Sequence, residues 1–309
     1  MTDTSVRIPA PGLSTGGVVP TLPGIAGIAQ GYDLVLCDVW GVLHDGTNAH
    51  RGASDALMRF RALPGAERPR RVVLVSNAPR PWPGVQAILD GFGIPREAYD
   101  AILTSGDLTR SLIAAHPGER IHHLGPERDA TIFDGLDLTL VPAEAAERVV
   151  CTGLFDDTCE TAEDYRATLS DFRARDVHMI CANPDLVVER AGLLIPCAGL
   201  IAEAYEAIGG TVTYAGKPHR PVYEAALTMA GGLDDRYPPE PTRTLAVGDA
   251  LRTDIAGASA YGIPSLLVAR GIHAEELGVS AAHATLGDVA AWLDAQAVRP
   301  DAVIERLVW

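Results

Sequence analysis

The chain has 309 residues, 47% of them hydrophobic, with 25 basic against 40 acidic side chains and a net charge of −15. That length and apolar content suit one large α/β core carrying an inserted domain. An acidic surface of this kind repels nucleic acid and anionic membranes, and no apolar run reaches the roughly 20 residues that span a bilayer, so neither is expected as a partner. Five cysteines lie at scattered positions with no CxxC pair, which fits a reducing cytosol better than a disulfide framework and points to a cytoplasmic protein.

Residues 1–20 hold Pro, Gly, Ser and Thr without an apolar core, so they read as a loose arm with no signal peptide. Residues 21–31 are expected to form a short lead-in helix, weakened by Gly24 and Gly27. Leu34-Val35-Leu36-Cys37 is short, continuously apolar and flanked by Gly31 and Gly41. That is the pattern of a parallel strand buried on both faces. It ends in Asp38. The spacing of Leu57, Phe60 and Leu63 predicts a helix over 53–63. A second apolar strand over 72–75 ends in Ser76 and Asn77. A helix over 83–92 closes at Gly93, and a strand follows at 102–104.

From Gly106 the pattern changes to strands at 120–124, 138–141, 148–152 and 178–182, with helices at 108–115 and 162–175. This alternation argues for an inserted α/β domain. The core is expected to resume near Gly209 with a strand over 211–215 that delivers Lys217. A helix over 221–230 and a proline-stiffened loop over 236–241 come next. The last marked strand, 244–247, ends in Gly248-Asp249. A second carboxylate, Asp254, stands five residues on, at the start of a helix over 253–260. The chain shows no internal repeat, heptad or low-complexity tract.

Ligands of open α/β sheets bind at the carboxyl ends of the strands, and four such ends carry Asp38, Ser76-Asn77, Lys217 and Asp249 with Asp254. A carboxylate there either acts as a nucleophile or caps the next turn. Ser76 and Asn77 are small hydrogen-bonding groups suited to a phosphoryl oxygen. Asn183-Pro184-Asp185 is either an Asx-type turn or a substrate-facing one. Arg252 either grips substrate or covers a helix start. His122 and His123 are neighbours on one strand and cannot share a face, which argues against a zinc site. His178 reads as a strand-end residue, Cys37 as a buried one, Trp82 as packing, and Trp292 and Trp309 as core or interface.

The order Asp38, Ser76-Asn77, Lys217-Pro218 and Gly248-Asp249 with Asp254 resembles the haloacid dehalogenase superfamily of hydrolases, from about Tyr32 to the C-terminus. The long interval from Asn77 to Lys217, with Asn183-Pro184-Asp185 and Ile195-Pro196-Cys197-Ala198-Gly199-Leu200 inside it, is similar to the class IIA branch. That branch includes sugar-phosphate, nucleotide and pyridoxal phosphate phosphatases. The resemblance implies a doubly wound parallel sheet with an inserted α/β cap. Residues 1–30 would be an arm and lead-in, 31–105 and 207–309 the hydrolase core, and 106–206 the cap.

It further implies a hydrolase of small phosphorylated metabolites that works through an aspartyl-phosphate on Asp38. Lys217 would be the second catalytic group. Mg²⁺ would be held by Asp38, Asp249 and the backbone carbonyl of Trp40, with Asp254 orienting that shell. Ser76, Asn77, Asn183 and Asp185 would bind substrate, and the cap would carry a homodimer contact. One position departs from the pattern: Trp40 stands where family phosphatases carry a second aspartate. Its indole offers one N–H donor and no acid or base near neutral pH. Three alternatives stay open: a substitute acid among His44, Asp45 and His219; substrates with good leaving groups; or drift to other chemistry or to non-catalytic binding of phosphometabolites.

Overall fold

A computed structural model describes residues 18–64, 69–190, 193–233, 239–280 and 285–309. The chain enters through β1 (Thr21–Leu22) and β2 (Leu34–Cys37), then α1 (Arg51–Ala62), β3 (Arg71–Ser76), α2 (Trp82–Gly91), β4 (Ala101–Thr104) and α3 (Ser105–Ala114). It continues through β5 (Glu119–Leu124), β6 (Leu138–Leu140), β7 (Arg148–Cys151), α4 (Arg166–Ala174), β8 (His178–Cys181), β9 (Val187–Arg190), β10 (Leu193–Pro196), α5 (Ala198–Ala207) and β11 (Val212–Tyr214). The last third holds α6 (Arg220–Gly232), β12 (Thr244–Gly248), α7 (Ala256–Tyr261), β13 (Ser265–Val268), α8 (Val289–Asp294) and β14 (Ala302–Ile304). The loose arm expected over 1–20 lies outside the described residues up to position 17, as does the first half of the stiff loop at 236–241.

Internal contacts divide the chain into two compact units. The first takes in residues up to Leu74, Phe92–Ala101 and Ala226–Trp309; the second takes in Val75–Gly91 and Ile102–Ala225.

In the first unit the strands run β1-β14-β13-β12-β2-β3, all parallel. The apolar runs dictate this. Every residue of β2, β12 and β13 is buried, and only a sheet covered on both faces removes such runs from water. The order is doubly wound: from β2 the chain proceeds outward to β3, and from β12 outward through β13 to β14. β2 and β12 are therefore the two strands at the topological switch point, where open sheets bind ligands.

The lead-in helix expected at 21–31 does not form. Thr21 and Leu22 instead pair with Val303 and Ile304 as the edge strand β1, and only a single 3-10 turn, Ala29–Gly31, follows. Pro20 and Pro23 bracket the segment, and the edge of β14 offers its backbone groups a partner: Val303 N–H donates to the Pro20 carbonyl at 2.9 Å. That pairing outweighs a helix already weakened by glycine.

The second unit holds a five-stranded parallel sheet, β11-β8-β7-β5-β6, and the antiparallel pair β9–β10. Alternate side chains feed two cores. Val149, Cys151, Met179 and Cys181 pack with Leu169 and Phe172 of α4 and Ile201 and Tyr205 of α5. Val150 and Ile180 pack on the other side with Ile113, Ile132 and Phe133. His122 and His123 divide in the same way, His122 against Phe172 at 5.9 Å and His123 against Phe133 at 5.0 Å.

The strand expected over 211–215 was placed in the hydrolase core. β11 pairs instead with β8, Val212 opposite Met179 and Tyr214 opposite Cys181. Val212 and Tyr214 pack against the Leu169–Tyr205 cluster, so their apolar faces decide the partner. Trp82 is 45% exposed at the first position of α2, not packed as expected. The Trp292 Nε1–H donates to Glu276 at 2.8 Å, and its ring joins the partly buried rim of a core cluster.

Candidate active site

In the first unit, Asp38 follows β2 directly and Asp249 follows β12. Ligand oxygens of Asp38, Asp249 and Asp254 all lie within 4.8 Å of one another. Sheet register builds this. Cys37 pairs with Val247, and the Asp38 N–H donates to the Val247 carbonyl at 2.8 Å, so the two strand ends are level. Val39 N–H donates to Asp38 Oδ1 at 2.7 Å and Ile272 N–H to Asp249 Oδ2 at 2.8 Å.

Asp254 arrives by a widened turn. The helix expected from 253 starts earlier, as a π-helical turn over Leu251–Ile255, the kind of bulge that recurs at functional sites. The turn lets the Asp254 carboxylate reach back and accept the Ala250 N–H at 3.1 Å. Arg252 on the same turn is exposed.

Glycines make room for these carboxylates. A Cβ at Gly41 would fall 2.0 Å from Asp249 Oδ2, one at Gly271 2.1 Å from the same oxygen, and one at Gly248 2.0 Å from Asp254 Cγ. Gly41 also has φ +78°, which disfavours any L side chain. Three carboxylates in one place form an all-oxygen donor set of the type that hard divalent cations take.

Trp40 is half-buried on the loop after Asp38. Its indole lies over Gly46, where a Cβ would come 2.6 Å from the ring, and meets His44 edge-on at 5.1 Å. His44 stacks on Phe92 at 4.7 Å and accepts the Gly46 N–H through Nδ1. Burial is the main cause that pushes its pKa down to about 4, with a smaller push from His50 and an opposing pull from Asp45. His44 is therefore a neutral packing group at pH 7. This contact set, Gly46 and Phe92 with it, has no motif signature; only the positive-φ demand on Gly46 hints at it.

The second unit gathers the remaining residues. Ser76 ends β3, and its hydroxyl accepts the Ala78 N–H at 3.2 Å, which leaves its own O–H as a donor. The Asn77 carboxamide reaches Lys217 and Asp185. Its Nδ2 donates to Asp185 Oδ1 at 2.9 Å and to the Lys217 carbonyl at 3.0 Å. Its Oδ1 accepts the Lys217 N–H at 2.8 Å and the Ser105 hydroxyl at 3.3 Å. Asn183 Oδ1 accepts the Asp185 N–H at 3.1 Å, so Asn183-Pro184-Asp185 is an Asx turn. Ser105 was not singled out in the sequence, since an isolated serine at a helix start carries no distinctive signal.

A doubly wound parallel sheet with carboxylates gathered at its switch point places the protein in the α/β class, and its relatives give the family. The family model described as haloacid dehalogenase-like hydrolase matches residues 35–139, and a second, HAD-hydrolase-like, matches 214–308. A solved haloacid dehalogenase-like hydrolase from Brucella suis is 43% identical, covers 93% of this chain and 100% of its own, and superposes with a TM-score of 0.80. The chain belongs to the haloacid dehalogenase-like hydrolase family.

More distant relatives include phosphatases. The D-glycerol 3-phosphate phosphatase of Mycobacterium tuberculosis is 30% identical over 254 residues, which is 80% of this chain and 65% of that protein. The chain thus spans just under two thirds of that relative's length. A glycerol phosphate phosphatase structure from the same organism, in complex with magnesium, is 27% identical, covers 82% of this chain and 74% of its own, and has a TM-score of 0.60. No helix among the described residues is long and apolar enough to cross a membrane.

Proposed function

We propose that this hydrolase is a phosphatase of small phosphorylated metabolites that uses Asp38 as its nucleophile and Mg²⁺ as its cofactor. The observation that carries the reading is the convergence of Asp38, Asp249 and Asp254 within 4.8 Å at the switch point. The phosphatases among its relatives, one of them with magnesium, support it.

An Asp38 carboxylate oxygen attacks phosphorus, the ester P–O bond breaks, and the leaving oxygen departs with the bond pair. Water then attacks phosphorus, the bond from phosphorus to the Asp38 oxygen breaks with its pair on the carboxylate, and the proton that water gives up to solvent balances the one the departed alkoxide takes from it. Asp38, Asp249 and the Trp40 carbonyl would hold Mg²⁺, with Asp254 beside them; the ion would offset the negative charge that nucleophile and phosphate share. Lys217 adds a compact positive charge, and the Ser76 O–H donates to a phosphoryl oxygen. The cap, expected over 106–206, selects the substrate. A cytoplasmic homodimer is the expected state, and sedimentation at micromolar concentration checks the dimer.

A panel of phosphometabolites that includes glycerol phosphate, run with Mg²⁺ and with a chelator, tests the function. Turnover should require the metal and vanish in Asp38→Asn. Activity that survives either change would overturn the reading. The second reading is a non-catalytic phosphometabolite-binding protein, favoured by Trp40 and the packing of its ring on Gly46 and His44. Binding of substrate without turnover would select it.

A further inference from the structure

Asn77 was expected to touch substrate, and the bonds of its side chain argue otherwise. A carboxamide has two N–H donors and an oxygen with two lone pairs. Both donors are committed, to Asp185 Oδ1 and to the Lys217 carbonyl. Both lone pairs are committed too, to the Lys217 N–H and the Ser105 hydroxyl. The residue is 4% exposed. Gly216 completes the enclosure: a Cβ there would fall 2.1 Å from Ser105 Oγ, 2.6 Å from Asn77 Oδ1 and 2.9 Å from Pro184 Cδ. The same amide thus grips Lys217 on both sides of its α-carbon and ties it to the 183–185 turn.

We infer that Asn77 is a positioning residue: it clamps the Lys217 backbone between β3 and the Asn183-Pro184-Asp185 turn, and direct contact with the phosphoryl group falls to its neighbour Ser76. The inference rests on the phosphatase reading for its kinetic consequence and on the hydrogen bonds for its structural one. Removing one partner of such a bond leaves the other buried and unpaired, which loosens whatever the bond held. A small displacement of a charge that acts in the transition state lowers kcat, whereas loss of a uniform binding contact raises KM. Asp185 is part of the clamp, so its removal should weaken the same restraint, and effects within one network do not add.

The test uses the full chain as wild type, Asn77→Ala, Asp185→Ala and the double variant, with Mg²⁺ and 4-nitrophenyl phosphate. Hydrogen exchange at the Lys217 amide is measured alongside. Asn77→Ala should speed that exchange by roughly tenfold or more and lower kcat by about tenfold, with KM within about threefold. The double variant should be no slower than the worse single one. If Asn77→Ala does not fold, Asn77→Asp takes its place, since it keeps the acceptor and puts a carboxylate where the donors were.

Unchanged exchange, a raised KM at constant kcat, or additive losses in the double variant would each overturn the clamp. If no variant and not the wild type turns substrate over, the phosphatase reading fails by itself. The exchange data then still decide the clamp.

Discussion

The backbone N–H of Ile272 donates to Asp249 Oδ2 at 2.8 Å, and the same oxygen would lie 2.0 Å from a Cβ at Gly41. Asp249 is thus held from the segment after β13 and hemmed in by the turn after β2. The carboxylate that would share a metal with Asp38 has little freedom to move, and the glycines around it are part of its placement.

Gly41→Ala should damage the site more than Gly271→Ala, although both would crowd Asp249. At Gly41 the new side chain also meets φ +78°, where an L residue costs roughly 1–2 kcal/mol. Thermal melts with and without Mg²⁺ should show both variants losing metal-induced stabilisation, and only Gly41→Ala losing stability of that further size without metal. Equal metal-free melts for the two variants would contradict the argument.

Asp249→Asn should weaken Mg²⁺ binding in calorimetry. The donor atoms of Asp38, Asp249 and Asp254 share a 4.8 Å space, and loss of one carboxylate removes a hard, charged ligand. For wild type, Mg²⁺ at 100 times its Kd should raise stability by about 2.7 kcal/mol. A chelator should remove that gain, and Asp249→Asn should show little of it at the same concentration. Unchanged Mg²⁺ affinity in Asp249→Asn would remove this residue from the metal site.

Trp40 should govern the choice of leaving group. If no other group replaces the aspartate absent from that place, the phosphatase lacks a positioned acid–base worth about 10²–10⁴-fold in rate. Aryl and acyl phosphates, whose leaving groups need little protonation, should turn over faster than alkyl phosphates, and the phosphoenzyme should accumulate. Trp40→Asp should raise the alkyl rate. Gly46→Ala, which would drive a Cβ into the indole, should disturb Trp40 fluorescence without that gain. Equal wild-type rates on both substrate types, abolished by Asp38→Asn, would show that another residue supplies the proton.

His123 should make the protein acid-sensitive. Burial first, then His122, pushes its pKa down from 6.5 to about 4, while its ring lies against Phe133 and its Nε2 meets Thr152 Oγ1 at 2.8 Å. Above pH 6.5 the residue is neutral in both folded and unfolded chains and adds no pH dependence. Between 6.5 and about 4 the unfolded chain takes up the proton and the folded one does not, so stability falls as pH falls. Denaturant titrations at pH 7 and pH 5 should show a smaller drop for His123→Asn than for wild type. An identical drop would assign the acid sensitivity to other groups.

Much of this architecture is legible in the sequence, because strands buried on both faces must be written as unbroken apolar runs. Leu34-Val35-Leu36-Cys37 and the run before Gly248 are β2 and β12, and the polar residues that end them are the ones at the switch point. Helix starts are less legible: α3 is expected from 108 but begins at Ser105, where Thr104 and Asp107 form a capping box with bonds of 2.9 and 3.1 Å. Tertiary structure decided what local pattern left open. Residues 21–22 became an edge strand because β14 offered a partner, and β11 joined β8 because Val212 and Tyr214 met the α4–α5 core. Asn77 shows the same limit at the site. Its place beside Ser76 marks it as a polar group at a strand end, but four hydrogen bonds, to Ser105, Asp185 and twice to Lys217, consume its hydrogen-bonding capacity. A chain specifies each residue's chemistry and its local backbone preference. Which donors meet which acceptors is settled only when segments over a hundred residues apart pack together, since a buried polar group must find its partner wherever the fold supplies one.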